Sequence, residues 1–263
     1  MRIAIGIEYD GTGYNGWQRQ KSGTGVQEIL EDALGRVADH PLEVVCAGRT
    51  DTGVHATGQV AHFDTTAERT TRSWLLGANS NLPDDVNLTW ARPVPENFHA
   101  RYSAVARTYR YLILNRLNRS SLYRRRAWWV HDHLDVARMQ AAADLLLGER
   151  DFSAFRAAGC QARTATRELR RLDVRRNGDW LALTVTANAF LQHMVRNLAG
   201  TLVAVGSGER EPDWARFVLE SGDRTLAGVA APAHGLTLVR VDYPGELGLP
   251  SPDVPDLLPG MPT

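Results

Sequence analysis

The sequence is poor in lysine and cysteine and lacks any long apolar run, and each shortage excludes something. Lys21 is the only lysine among 30 basic residues, so positive charge is carried almost wholly by arginine. Arginine's planar fork favours two-point contact with phosphate and carboxylate, although genome composition produces the same bias. Cys46 and Cys160 are the only cysteines, too few for a disulfide framework, and they suit a reducing compartment. No stretch approaches the roughly 20 apolar residues that span a bilayer. The opening "MRIAIGIEYDG" has neither the apolar block nor the small-residue cleavage site of a secretory leader. A cytoplasmic protein without a membrane partner is the expectation.

The 263 residues suit one large domain or two smaller ones, and 43% hydrophobic content is that of an ordinary globular chain. Net charge is zero, yet its distribution is uneven. Eight arginines and no acid lie between Arg101 and Arg126, and seven arginines between Arg156 and Arg176 face only Glu168 and Asp173. After Val241 there are four acids and no base. A basic middle in a neutral chain fits a phosphate-binding groove, and it fits a solvated arginine-rich surface too.

Periodicity outlines two similar halves. "RIAIGIEYD" alternates as a half-buried strand, and "GVQEILEDALGRVADH" places Val26, Ile29, Leu30, Ala33, Leu34 and Val37 at helical spacing. "PLEVVCAG" and "TGQVAHFDT" read as strands, "RSWLLGANSNLP" as a helix stopped by Pro83, and "DVNLTWARPVP" as a strand. The same β-α-β-β-α-β order recurs from "AVARTYRYLILN" to "GLTLVRVDY". It includes a hairpin predicted as type I′ at Asn177-Gly178 and two consecutive helices, "FLQHMVRNLAGTLVAVG" and "EPDWARFVLESG". The expected fold is α+β: two ferredoxin-like halves, 1–103 and 104–243, forming a mixed sheet with helices on one side and a central basic cleft. Residues 244–263 hold six of the twelve prolines and read as a loosely ordered acidic tail.

One carboxylate stands out. Asp51 sits in "GRTDTG", where Gly48 and Gly53 permit backbone angles closed to other residues, so the loop can aim it. An Asx-turn that merely caps its own loop is the simpler account of an isolated Asp-Thr-Gly. Asp-Thr-Gly is also the aspartic protease signature, but that chemistry needs two carboxylates sharing a proton. The tripeptide occurs once, in a long helix-bearing chain, with Arg49 close enough to hold the carboxylate ionised. His55, His62 and Asp64 have loose metal spacing, but they read as strand and loop residues, and no metal is expected.

Six blocks occur in the order found in the tRNA pseudouridine synthase A family. They are "YDGTGYNGWQRQ", "GRTDTGVHATGQVAHFD", "NLP", "FHARYSAVARTYRYLI", "NAFLQHMVRN" and "APAHGLTL", and the resemblance runs from about residue 2 to 242. It implies an isomerase that detaches uracil from a uridine in the tRNA anticodon stem-loop (tRNA positions 38–40). The base turns and is rejoined through carbon, with no cofactor. By the same resemblance Asp51 is the nucleophile, attacking the sugar or the base, and Arg196 is the cation that keeps it ionised. Arg49 enters the duplex and helps extrude the target nucleotide. Tyr109 stacks on the base, with a strand-core aromatic as its alternative, and Leu236 packs on the other side. "FHARY" (Phe98 to Tyr102) and "FRAAGCQARTATR" match tRNA-contacting segments, the first with Phe98, His99 and Arg101 as contacts, and Arg101, Arg69, Arg156 and Arg163 are phosphate candidates. "YRRRAWW" reads as a basic loop leading into a core strand with Trp128 and Trp129, or as added stacking surface. Thr52 departs from the family's usual Ala and adds a hydroxyl beside the nucleophile. The resemblance further implies a homodimer.

Overall fold

The computed structural model describes residues 1–251; the part of the expected tail from 252 to 263 lies outside them. In chain order the elements are β1 (Arg2–Tyr9), α1 (Val26–Ala38), β2 (Val45–Cys46), β3 (His55–Asp64), α2 (Thr71–Asn79), β4 (Val86–Val94), β5 (Ala106–Asn115) and β6 (Trp128–Val130). There follow α3 (Val136–Asp144), β7 (Gly148–Asp151), β8 (Thr166–Asn177), β9 (Trp180–Ala187), α4 (Met194–Gly206), α5 (Asp213–Ser221) and β10 (Leu236–Asp242). The fold is mixed α+β, as the periodicity predicts.

The chain forms two compact units, the first comprising Met1–Arg107 and the described chain from Thr237 onward. β1 is the centre of an antiparallel trio, with Ile3 opposite Phe63 of β3 and Pro93 of β4. Phe63 meets Trp74 of α2 edge-on at 5.1 Å, which makes the Ile3–Phe63 face the one that α2 covers. α1 packs on α2 and buries Val26, Leu30, Ala33, Leu34 and Ala38, a stripe of helical period. Side chains alternate across a strand, so Ala4 points the other way. There it joins Phe98 and Ala100 under Trp90, Val94, Tyr243, Leu247 and Leu249.

The closing strand enters this unit, although the sequence repeat placed it in the second half. β10 runs parallel to the start of β3, with Thr237 opposite His55 and Leu238 opposite Ala56. Gly58 permits the approach, because a Cβ there would lie 2.2 Å from the Val239 carbonyl oxygen. The beginning of the expected tail is packed: the Tyr243 hydroxyl donates to the Ala100 carbonyl at 2.6 Å, and Arg92 donates to the Gly248 carbonyl at 2.6 Å.

The second unit, Thr108–Leu236 among the described residues, has the strand order β5-β9-β8-β7, with β6 parallel to β5. α3 packs on β8 and on α4, where Met139 presses against Gly206. The β8–β9 hairpin differs from the expected turn. Asn177 pairs with Trp180, so the two-residue loop is Gly178-Asp179, and only Gly178 has positive φ (+54°), the pattern of a type II′ turn. Trp128 is half-buried against Tyr111, whereas Trp129 is exposed and donates to the Arg116 carbonyl at 2.9 Å, so only the first is a core residue.

Gly58→Ala forces β3 and β10 apart and is expected to cost about 1–3 kcal/mol or more of stability. Gly159→Ala, with nothing within 4 Å of the new methyl, is expected to stay within about 0.5 kcal/mol. Chemical denaturation of the two variants checks both, and equal midpoints would contradict the close approach.

Candidate active site

The loop that carries Asp51 joins β2 to β3, and its backbone is tied at the base and at the tip. At its base, the Ala47 amide donates to the Val60 carbonyl at 2.7 Å, and Gln59 Nε2 donates to the Gly48 carbonyl at 2.7 Å. Arg107, buried, donates through Nη2 to the Ala47 carbonyl at 3.0 Å. At its tip, the Trp17 amide donates to the Thr50 carbonyl at 3.0 Å, and the buried Thr50 and Tyr9 hydroxyls lie 2.8 Å apart. The Val54 amide closes the turn on the Asp51 carbonyl at 3.1 Å.

Two glycines make this fit possible. Gly16, at φ +90°, lies so close that a Cβ would stand 2.6 Å from the Thr50 carbonyl oxygen and 3.1 Å from the Asp51 carbonyl carbon. Gly53, at φ +79°, turns the chain back toward β3. "YDGTGYNGW" thus forms a backbone cradle for "GRTDTG". Asp51 is half-buried, while Arg49 and Thr52 on either side are exposed. Buried Thr50 anchors the centre. A carboxylate on so constrained a backbone is aimed before any ligand arrives.

The neighbouring groups have other tasks. Burial pushes the Cys46 thiol up to about 12, against the pull of Arg49, so it is an inert thiol. His55 Nδ1 receives the Gly11 amide at 3.0 Å with Asp10 Oδ1 also at 3.0 Å, His62 Nδ1 receives the Ala100 amide at 3.2 Å, and Asp64 pairs with Arg2 at 2.7 Å. Burial, with Arg2 second, lowers His62 to about 4.

In the second unit, Arg196 on the first turn of α4 donates through Nε to the Ala231 carbonyl at 2.7 Å, and the Ala231 amide returns a bond to the Arg196 carbonyl at 3.0 Å. The 228–231 segment lies tightly on α4, since a Cβ on Gly200 would stand 1.8 Å from the Val229 carbonyl oxygen. His193, which precedes α4, holds φ +62°, a rare angle for a side chain other than glycine. Tyr109 is 8% exposed and meets Phe190 edge-on at 5.1 Å. Tyr111 is a core residue whose hydroxyl donates to the Pro232 carbonyl at 2.7 Å, with Gly235 against its ring. Leu236 follows that contact and is buried. The Asn197 amide donates to the Phe155 carbonyl at 2.8 Å, and the Ala157 amide to the Gln192 carbonyl at 2.9 Å. Arg156 therefore stands beside the start of α4.

Of the other candidates, Arg163 is exposed, and Arg69 is exposed with Nε on the Val37 carbonyl at 3.2 Å. Phe98 is 1% exposed and packed in the core, so its ring supports the surface instead of meeting a ligand. Sequence reasoning missed Tyr9, Gly16 and His193, and within "FHARY" it did not separate exposed Tyr102 from buried Phe98. The three glycines of "GTGYNG" were the only available signal for the cradle.

A family model described as tRNA pseudouridine synthase matches residues 5–103 and 142–244. The chain belongs to that family. It is similar to proteins named tRNA pseudouridine synthase A, with 55% identity over 250 residues to that of Vibrio cholerae serotype O1 (95% of each chain). The Vibrio parahaemolyticus protein of the same name is 54% identical over 250 residues, again 95% of each chain. That of Coxiella burnetii is 53% identical over 249 residues, 95% of each chain. The family match covers parts of both units and includes Asp51, Arg196 and Leu236, whereas Tyr109 lies between the two matched segments.

Two outcomes follow from the geometry. Tyr9→Phe removes one buried hydrogen bond and leaves Thr50 with an unmatched hydroxyl, at an expected cost of about 1–3 kcal/mol; an unchanged denaturation midpoint would contradict the anchor. The second concerns pH. The native His62 takes its proton near pH 4 and an unfolded histidine near 6.5, so between these values the unfolded chain holds the extra proton. Stability therefore falls as pH is lowered through that window, and His62→Asn is expected to remove this share of the slope in urea titrations at pH 7, 5.5 and 4.5.

Proposed function

We propose that the chain isomerises uridine to pseudouridine in the anticodon stem-loop of tRNA, with Asp51 as the covalent nucleophile. The observation that carries this reading is the family match across both units, with Asp51 on a loop whose backbone is fixed on three sides. The reaction breaks the glycosidic bond from N1 to C1′ and forms one from C5 to C1′. The proton on C5 is released and N1 gains one, so the product is an isomer. Nothing is oxidised, reduced or hydrolysed, and side chains suffice.

Each role has a physical basis. A carboxylate covered by a base loses solvation, which by burial alone would raise its pKa by up to about 3–5 units. Arg196 is the cation assigned to oppose that rise. Its Nε is held by Ala231, which orients the remaining edge of the guanidinium. Arg49 projects from the same loop as Asp51 and is exposed, as a side chain that enters a duplex must be. Extruding a nucleotide costs a few kcal/mol, which contacts to phosphates and the unpaired partner can offset. Tyr109 and Leu236 supply an aromatic face and an apolar surface for uracil. Arg69, Arg101, Arg156 and Arg163 contribute phosphate contacts, which position without reading sequence. The functional form is a homodimer in the cytoplasm.

Asp51→Asn is expected to abolish pseudouridine in tRNA while leaving tRNA affinity within about tenfold, measured by pseudouridine mapping and filter binding. Survival of the modification would overturn the assignment of the nucleophile. Arg196→Ala is expected to reduce turnover far more than thermal stability. Affinity for tRNA should fall steeply as salt rises, because bound counterions are released; a flat response would remove the basic groove.

A further inference from the structure

Among the described residues, Asp39 and His193 alone combine positive φ with a side chain. Asp39, at φ +60°, ends α1, where a left-handed residue is the usual helix stop. His193, at φ +62° and ψ +2°, instead begins α4, where the residue before a helix is normally extended. Its side chain makes no capping hydrogen bond to the helix. The angle comes from a turn. The Met194 amide donates to the Leu191 carbonyl at 3.1 Å across Gln192 and His193, and of these two only His193 has positive φ, the pattern of a type II turn. That position ordinarily takes glycine or asparagine, because a Cβ crowds the following carbonyl.

The turn is fixed on every side. Leu191 and Met194 are buried, the Gln192 carbonyl accepts the Ala157 amide at 2.9 Å, and the His193 carbonyl accepts the Asn197 amide at 2.9 Å. What it joins is the second observation. Just before it, Phe190 meets Tyr109 edge-on at 5.1 Å. Just after it, Arg196 stands in the first turn of α4 with Nε on the Ala231 carbonyl at 2.7 Å. A cation there faces the positive end of the helix dipole, so Arg196 too occupies a locally unfavourable place. Two local costs within four residues, between the support of one site candidate and the side chain of another, are the signature of a functional segment. Glycine would adopt the angle freely, but it would adopt many others as well, and a joint between site residues must hold one.

We propose that His193 is a positioning residue: its left-handed turn is the joint that sets Arg196 relative to Phe190 and the Tyr109 ring, and its half-buried side chain holds that joint in a single conformation. The inference rests on the roles assigned above to Arg196 and Tyr109, and it gives a task to a residue that the motifs left without one.

The test compares full-length wild-type protein with His193→Gly and His193→Asn by turnover on an anticodon stem-loop RNA, urea denaturation, and hydrogen exchange of the Asn197 amide without RNA. His193→Gly is expected to keep or raise the midpoint and to speed Asn197 exchange. Its kcat should fall by about 10- to 100-fold with KM within about threefold, the effect of a misplaced site group. His193→Asn, whose side chain tolerates the left-handed angle, should recover slow exchange and a kcat within about threefold of wild type. Wild-type kcat in the Gly variant would overturn the proposal, as would losses of kcat that track a lowered midpoint in both variants. Loss of kcat in both with midpoints held would also overturn it, because the imidazole would then act on the RNA itself. Should wild-type protein form no pseudouridine, the proposed reaction falls and exchange decides alone: faster in Gly and slow in Asn supports the joint, and equal rates in all three proteins overturn it.

Discussion

The seating of the Asp51 loop in the cradle of residues 9–17 is the constraint on which the rest of the first unit depends. The nucleophilic role proposed for Asp51 requires a carboxylate aimed to a fraction of an ångström, which an untethered surface turn does not provide. Here the Thr50 carbonyl is bonded to the Trp17 amide, the Thr50 hydroxyl meets that of Tyr9, and Gly16 lies flat against the peptide that follows. The cradle grows directly out of β1, whose Ile3, Ile5 and Ile7 are wholly buried. Stability of the core is thereby transmitted to the loop. The same logic extends outward through Arg107, which donates to the Ala47 carbonyl and to the carbonyls of Arg101 and Ala104.

The second unit fixes its own candidate by different means. Arg196 is set by a reciprocal pair of bonds with Ala231, and the close approach of the 228–231 segment to Gly200 locks that pair in place. Gly200 and Gly228 are small because two backbones must nearly touch there. Tyr111 completes the arrangement by bonding to Pro232. In both units, then, a polar side chain with an assigned chemical role is held by main-chain contacts. Main-chain contacts vary little with the side chains around them, which suits a scaffold serving one reaction.

Much of this was legible in the sequence, and the parts that were not have identifiable causes. The amphipathic period of α1 exposed its buried face, and the alternation of β1 marked a strand; that strand is not half-buried as expected, because Ile3 to Ile7 are buried on both faces. The repeat in the second half was misleading at its last strand. "GLTLVRVDY" reads the same whether it pairs locally or returns to β3, and only Gly58 makes the return possible. Asn177-Gly178 named a hairpin correctly and its turn wrongly, since pairing of Asn177 with Trp180 shifts the loop by one residue. The aromatic of "FHARY" that faces solvent is Tyr102, whereas Phe98 is core. The chain from His99 to Tyr102 winds about the His99 imidazole, a pattern with no periodic signature.

The most direct measurement is native-state hydrogen exchange at the Trp17 and Val54 amides in the absence of RNA. Both donate to the Asp51 loop, and a preformed cradle requires that they open only with most of the first unit. Protection close to that of the β1 amides is the predicted result. Exchange of these two amides near the unprotected rate, with β1 still protected, would show a loop that is ordered only by its substrate and would contradict the account.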